Sequence, residues 1–277
     1  MNTACTTTLT ILGAGRLGKT LGRVFHAGGA AIITNIFNRS QSSAEDAASF
    51  IGAGSAVDSF EQCAPVTVFM LAVPDAQIAV YSEKLAASGL VGPGTVAFHC
   101  SGALSSDALK AVRATGAAVA SIHPIRSFAD PESVAGSFDG TFCGVEGDAA
   151  AMDLLNPLLI QIGARLIPIR AESKTLYHAA AVFASNYLVS ILSVAQKAYV
   201  AAGIPADVAL ELLAPLARET TENVIRLGPA AALTGPIARG DVATVARQLQ
   251  AVQQWDDAYG NLYEHLAAAT TRLAVSR

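Results

Sequence analysis

Short apolar runs alternate with stretches of helical spacing over the first 170 residues, and beyond that point the runs cease. The runs fall at 9–12, 32–37, 67–73, 96–99, 118–122, 141–145 and 165–169. Between them the spacing predicts helices over 17–27, 43–50, 77–88, 106–115 and 149–163. Strands that are apolar at nearly every position must be covered on both faces. The alternation therefore predicts an α/β domain, a doubly wound parallel sheet between helical layers. Later segments, 174–202, 206–227 and 242–269, read as helices alone. Gly203 with Pro205, and Gly228 with Pro229, supply the stop signals. The expected division is 1–170 as the α/β domain and 171–277 as an all-helical domain, a fitting arrangement for 277 residues.

Composition excludes several classes. Hydrophobic residues make up 52% and charged residues 14%, so the chain buries enough apolar surface to offset its ordering entropy. A formal charge of −4 provides no basic field for nucleic acid or for an anionic membrane. Cys5, Cys63, Cys100 and Cys143 lie far apart without a CxxC pair, so neither a metal site nor a disulfide scaffold is expected. That usage fits a reducing, cytoplasmic setting. The polar, Thr-rich start over residues 1–8 lacks the pattern of a signal peptide. One uncharged stretch, 179–196, approaches the length of a membrane span. However, Asn186, Ser190, Ser193 and Lys197 form a polar stripe at helical spacing, which points to a helix buried in protein.

Directly after the first run comes Gly13-Ala14-Gly15-Arg16-Leu17-Gly18-Lys19-Thr20. It satisfies two patterns. As GxGxxG it is a dinucleotide fingerprint, with Gly13 for the turn, Gly15 for approach of a pyrophosphate and Gly18 for helix–strand packing. As GxxxxGKT it is a P-loop, with Lys19 on phosphates and Thr20 on magnesium. The second run ends at Asn38-Arg39-Ser40, where a dinucleotide's ribose belongs. No carboxylate stands there for a 2′-hydroxyl; Arg39 between two small polar residues suits the 2′-phosphate of NADP. A P-loop also needs an Asp at the end of a strand, and the nearest, Asp75, follows Pro74. NADP is therefore the expected cofactor.

Taken with Leu71-Ala72-Val73-Pro74-Asp75 and the long helix after the last run, these residues resemble the 6-phosphogluconate dehydrogenase-like superfamily. That group includes pyrroline-5-carboxylate reductase, ketopantoate reductase, 3-hydroxyisobutyrate dehydrogenase and deazaflavin-dependent NADP oxidoreductases. More closely, four motifs are similar to a family of Rossmann-like proteins with a C-terminal domain of unknown function. They are Ser101-Gly102-Ala103, His123-Pro124-Ile125-Arg126-Ser127-Phe128, the segment from Tyr177 to Tyr187, and the segment from Leu233 to Asp241. The resemblance implies a Rossmann-type domain, an oxidoreductase activity and homodimers through the helical domain. It also implies a Lys on the long helix as proton donor, with an Asn four or eight residues later to orient the substrate.

Open α/β sheets bind ligands beyond the carboxyl ends of their strands, where Ala72-Val73-Pro74, Ser101 and His123 fall. Ser101 either approaches the nicotinamide or caps the helix beginning near Ser105. Lys174, His178, Val182 and Asn186 follow one another at intervals of four and form one slowly turning stripe. With Asn186 in the later Asn position, His178 takes the place of the family's Lys. With Lys174 as the acid, the following Asn is absent. Catalytic candidates are thus His178 as proton donor, Lys174 as its rival or as a solvated first-turn lysine, Asn186 as substrate orienter, and Ser101 and His123 as polar walls. Arg126 and Arg239 are candidates for clamping a carboxylate. Together these residues predict an NADP-dependent reductase of a small carbonyl, a ketopantoate-like 2-oxo acid, or of an imine. The alternatives are a non-catalytic NADP-binding sensor or partner protein, and a P-loop nucleotide binder.

Overall fold

The computed structural model describes residues 7–275. Cys5 and most of the Thr-rich start lie outside them. The strands are β1 (Thr8–Leu12), β2 (Ile32–Phe37), β3 (Ser55–Val57), β4 (Val68–Leu71), β5 (Val96–His99), β6 (Ala118–Pro124), β7 (Phe142–Gly147) and β8 (Arg165–Pro168). They form one sheet in the order β3-β2-β1-β4-β5-β6-β7-β8. The first six strands thus have the 3-2-1-4-5-6 order of a Rossmann fold, with its topological switch between β1 and β4.

Coverage of both faces follows from the sequence of β4, Val-Phe-Met-Leu. Val68 and Met70 enter one buried cluster, with Leu9, Ile11 and Phe98. Phe69 and Leu71 enter the other, with Leu12, Ile78 and Ala97. Each fully buried side chain of this size contributes roughly 1.5–3 kcal/mol relative to exposure. The helices over this sheet are α1 (Arg16–Ala27), α2 (Gln41–Ile51), α3 (Asp75–Ala87), α4 (Lys110–Arg113), α5 (Pro131–Gly136) and α6 (Ala149–Gln161).

The sheet is not parallel throughout, as the alternation of runs and helices predicts. β7 pairs antiparallel with β6, His123 opposite Gly144 and Pro124 opposite Cys143. A parallel return needs a helix long enough to recross the sheet. The intervening α5 has only six residues. It is started by Asp130, whose side chain accepts from the amides of Glu132 and Ser133, and Glu132 pairs with Arg23 of α1 at 2.7 Å. The chain therefore turns back at the β6 edge.

Strand signals end near residue 170, whereas the chain divides into two compact units after Phe183. The intervening helix α7 (Lys174–Val182) belongs with the sheet through Lys174, which is buried. After α7 comes a π-helical segment, Phe183–Tyr187, and then α8 (Leu188–Ala201). The i→i+5 winding shifts the phase of the predicted four-residue stripe between Val182 and Asn186.

The second unit holds α8, α9 (Ala206–Leu227), α10 (Pro229–Ala232), α11 (Val242–Trp255) and α12 (Asp257–Val275). A single helix predicted over 242–269 is two, broken at the extended residue Asp256. No residue of α8 is buried. The burial in protein expected of this apolar stretch is therefore not supplied by the chain itself. By length and composition alone, 171–201 is also the one helix among the described residues suited to crossing a membrane.

Candidate active site

A groove of about 780 Å³ opens at the switch between β1 and β4. The Gly13 amide donates to Phe37 O at 2.8 Å, and the Ala72 amide to Leu12 O at 2.8 Å. Gly13 has φ +91°, and a Cβ there would lie 2.7 Å from Val73 Cγ1. At Gly18 a Cβ would run into the Gly13 carbonyl, so α1 packs tightly on the loop. At Gly15 a Cβ would meet nothing within 4 Å. The three glycines thus divide into two that close the turn and one that leaves room. Gly15 is the N-cap of α1 without a side-chain cap, and no acidic residue stands in the first turn. Free amides and the helix dipole there favour an anion.

Gly13, Gly15, Arg16, Leu17, Asn38, Arg39, Ala72, Val73, Pro74 and Ser101 all line the groove, joined by Ser43, Asp75, Gln77, Tyr81 and Cys100. Gly18 lies beneath the loop. Ser40 is the N-cap of α2, its hydroxyl engaged with Ser43 in a capping box. Arg39 is exposed, with its amide on Asn38 Oδ1 at 3.0 Å. Asn38, Arg39 and Ser43 together fit a phosphate monoester, and the groove fits an extended dinucleotide.

The same loop does not fit the P-loop reading. Lys19 Nζ sits 4.8 Å from the centre of the Phe50 ring, and Lys19 does not line the groove. The Thr20 hydroxyl is buried and donates to Arg16 O at 2.6 Å, so it cannot reach a metal. Asp75 begins α3 and accepts from the Ser101 hydroxyl at 2.8 Å.

At the groove's inner end, β5 delivers His99, Cys100 and Ser101. His99 is fully buried; its Nε2 lies 2.9 Å from Ser105 O, and its Nδ1 accepts from the Ser101 amide at 3.1 Å. Nε2 therefore carries the proton. Burial, together with Lys174, pushes this imidazole down to about 4. Ser101 Oγ accepts from the amides of Ala103 and Leu104 at 3.1 and 3.0 Å. It caps its own turn, whereas Ser105 is the N-cap of the next helical segment.

Lys174 is not a solvated lysine. It is 1% exposed, and its ammonium donates to Ser101 O at 2.9 Å and to the Ser121 hydroxyl. Burial pushes it down to about 8, against the attraction of Glu146 and Asp75. The side chain runs beneath the Ser101–Gly102 loop.

His123, from β6, has Nδ1 2.9 Å from Tyr177 Oη. The Tyr177 hydroxyl rests against Gly144, the residue opposite His123 in the sheet. Burial, His178 and Lys174 bring His123 down to about 4. The His123 and His178 rings stand edge to face, centroids 5.4 Å apart. Both abut Gly102: a Cβ there would lie 2.8 Å from His123 Nε2 and would collide with His178 Nδ1.

The fold thus gathers Ser101, His123, Lys174 and His178 in one unit. Asn186 falls in the π-helical segment of the other unit and is exposed. Arg126 binds Ser137 and Thr141 side chains and the Ser137 carbonyl, so it secures its own loop. Sequence reasoning missed Tyr177, Ser121 and Gly144. Tyr177 directly precedes His178, but nothing local shows that its hydroxyl meets a histidine 54 positions earlier.

Two family models match the chain: a Rossmann-like domain over residues 3–124 and a domain of unknown function (DUF2520) over residues 141–270. The chain therefore joins a Rossmann-like domain to a DUF2520 domain. Protein TM1727 from Thermotoga maritima is 27% identical, with a TM-score of 0.73, over 97% of this chain and 98% of that one. BF3122 from Bacteroides fragilis, provisionally described as an NADP oxidoreductase, is 20% identical with a TM-score of 0.81, over 98% of this chain and 100% of that one. The Myxococcus stipitatus imine reductase in complex with NADP+ is 16% identical with a TM-score of 0.63, over 97% of this chain and 93% of that one. No curated protein matches the chain.

Proposed function

We propose that this protein is an NADP-dependent oxidoreductase that transfers a hydride to a small carbonyl substrate, a 2-oxo acid of the ketopantoate type, or to an imine. One observation carries the reading: the groove that begins at Arg39 ends at Ser101, beside the His123–His178 pair. NADPH bound along it would supply the hydride. Gly13, Gly15 and the start of α1 would hold its pyrophosphate. Asn38, Arg39 and Ser43 would hold its 2′-phosphate, and Val73, Pro74 and Ser101 would border its reactive ring. His178 and His123 would donate hydrogen bonds to the oxygen that becomes an alkoxide. Lys174 would hold the Ser101–Gly102 turn rather than touch substrate. The neighbours' descriptions as NADP oxidoreductase and imine reductase support the same reading.

The experiment is a direct titration with NADPH, followed by a screen of NADPH oxidation against 2-oxo acids and cyclic imines. NADPH binding with turnover is expected. Binding without any turnover would favour the second reading, a non-catalytic NADP-binding sensor, which the engagement of Lys174 by Ser101 and Ser121 supports.

We further propose a homodimer through the second unit, in a reducing cytoplasmic compartment. Leu188, Val189 and Ile191 of α8 and Leu210, Leu212 and Leu216 of α9 are exposed large hydrophobics, more than a lone chain presents without a partner. Cys63, Cys100 and Cys143 are all free thiols, as that compartment allows.

A further inference from the structure

We infer that His123 and His178 form a matched pair of Nε2–H donors for one substrate oxygen, with Tyr177 and Gly102 fixing which nitrogen of each ring carries the proton. This rests on the reductase reading and narrows it to carbonyl substrates.

The argument for His123 begins at Gly144. Its Cα rests against the Tyr177 hydroxyl, whose one hydrogen-bond partner among the described residues is His123 Nδ1; were the phenol to accept there, its own proton would be left without an acceptor. The acceptor 2.9 Å away is His123 Nδ1. A nitrogen that accepts carries no proton, so the proton of neutral His123 sits on Nε2. Gly144 has to be glycine for this: a Cβ there would occupy the place of the Tyr177 hydroxyl and lie 2.8 Å from its Cζ.

The argument for His178 begins at Gly102. Among the described residues, His178 Nδ1 is buried with no hydrogen-bond partner. What faces it is the Cα hydrogen of Gly102, since a Cβ in that direction would collide with it. A C–H is a weak donor and no acceptor at all. An N–H pointed there would be a buried donor with nothing to receive it, the arrangement folded proteins avoid most strictly. Nδ1 is therefore bare, and Nε2 carries the proton of neutral His178.

The Nε2 atoms of both rings are neither buried nor bonded among the described residues. Ser101, which borders the groove, immediately precedes the glycine they share. Of the nearby carboxylates, Asp75 accepts from Ser101 through Oδ2, and Glu146 accepts from the Ser106 amide and hydroxyl at 2.6 and 2.9 Å. Two donors complement an oxygen with two lone pairs. They do not complement a protonated imine, whose nitrogen has a proton to give and no lone pair. Tyr177 acts through His123 and is a positioning residue.

The test is nitrogen NMR of the histidine rings in the full-length protein without cofactor, where tautomers are read from the two ring nitrogens. Expected is Nε2–H in both His123 and His178. In Tyr177→Phe the His123 signal should move toward a tautomer average while His178 keeps its own. Tyr177→Phe should bind NADPH unchanged and turn over a 2-oxo acid roughly tenfold more slowly, the worth of one net hydrogen bond. His178→Gln, whose amide can donate from near the Nε2 position, should retain more turnover than His178→Asn. An Nδ1–H tautomer in either ring of the unmodified protein, an unaltered His123 signal in Tyr177→Phe, or turnover of cyclic imines with none of carbonyls would overturn the inference. Absence of all turnover alongside the expected tautomers would count against the reductase reading alone.

Discussion

The ammonium of Lys174 donates to the hydroxyl of Ser121, and both residues are buried beneath the turn that carries Ser101 and Gly102. A helix and a strand are thus joined under the loop at the groove's inner end. The same ammonium holds the Ser101 carbonyl at 2.9 Å, so the loop is held from below as well as by the Ser101–Asp75 bond.

That burial has a pH signature. Lys174 releases its proton at about 8 in the folded chain, against 10.5 for an ordinary lysine. Between those values the unfolded chain holds the proton and the folded chain does not, so stability rises as pH increases from about 8 to 10.5. Below 8 the lysine is charged in both states and the full cost persists, about 3 kcal/mol. Lys174→Met removes this contribution. Denaturant unfolding of both proteins at pH 7.5 and about pH 10 should show a steeper gain in the unmodified protein, and parallel behaviour would contradict the assignment.

His99 predicts the opposite end of the scale. Burial holds it at about 4, against an ordinary 6.5. As pH falls from 6.5 toward 4 the unfolded chain takes up a proton that the folded chain refuses, and stability is lost. Over pH 7 to 5 this one residue accounts for about 2 kcal/mol. His99→Asn should lose less stability than the unmodified protein over that interval when urea midpoints are compared. An equal loss would mean that His99 is protonated in the folded state.

Arg39 should set the preference between cofactors. Its substitution by Ala removes charge-assisted hydrogen bonds to a 2′-phosphate worth about 1.5–3 kcal/mol, which is roughly ten- to a hundredfold in affinity for NADPH. Affinity for NADH should change little. Fluorescence titration decides the point, and equal affinity of the unmodified protein for both cofactors would exclude the role.

Val189 is two-thirds exposed on α8. If this face joins two copies, Val189→Asp places a charge in their contact and should give monomers by light scattering at micromolar concentration. A monomeric unmodified protein would end the dimer proposal.

Much of the fold was legible because it is written locally. The run Val68-Phe69-Met70-Leu71 has no polar position, and such a strand has to be central. Gly13, Gly15 and Gly18 announce their roles through spacing alone. Three things were not legible. The reversal of β7 depends on how short α5 is, and the chain between β6 and β7 carries no strong period. The burial of Lys174 depends on Ser101 and Ser121, 73 and 53 positions away, whose capacity to receive an ammonium appears only when the strands are side by side. The stripe ending at Asn186 assumed one uniform helix, and the π turn at Phe183–Tyr187 changes its phase.

The reversal of β7 also marks where the site divides along the chain. It falls in the interval between residues 124 and 141, where the two matched domains meet. His123 and Ser101 lie on one side of that interval; Gly144, Lys174, Tyr177 and His178 lie on the other. The first part alone carries the glycine loop and every residue that lines the groove, whereas the sheet edge, Tyr177 and His178 belong to the second. The histidine pair therefore belongs to the two matched segments together and to neither alone.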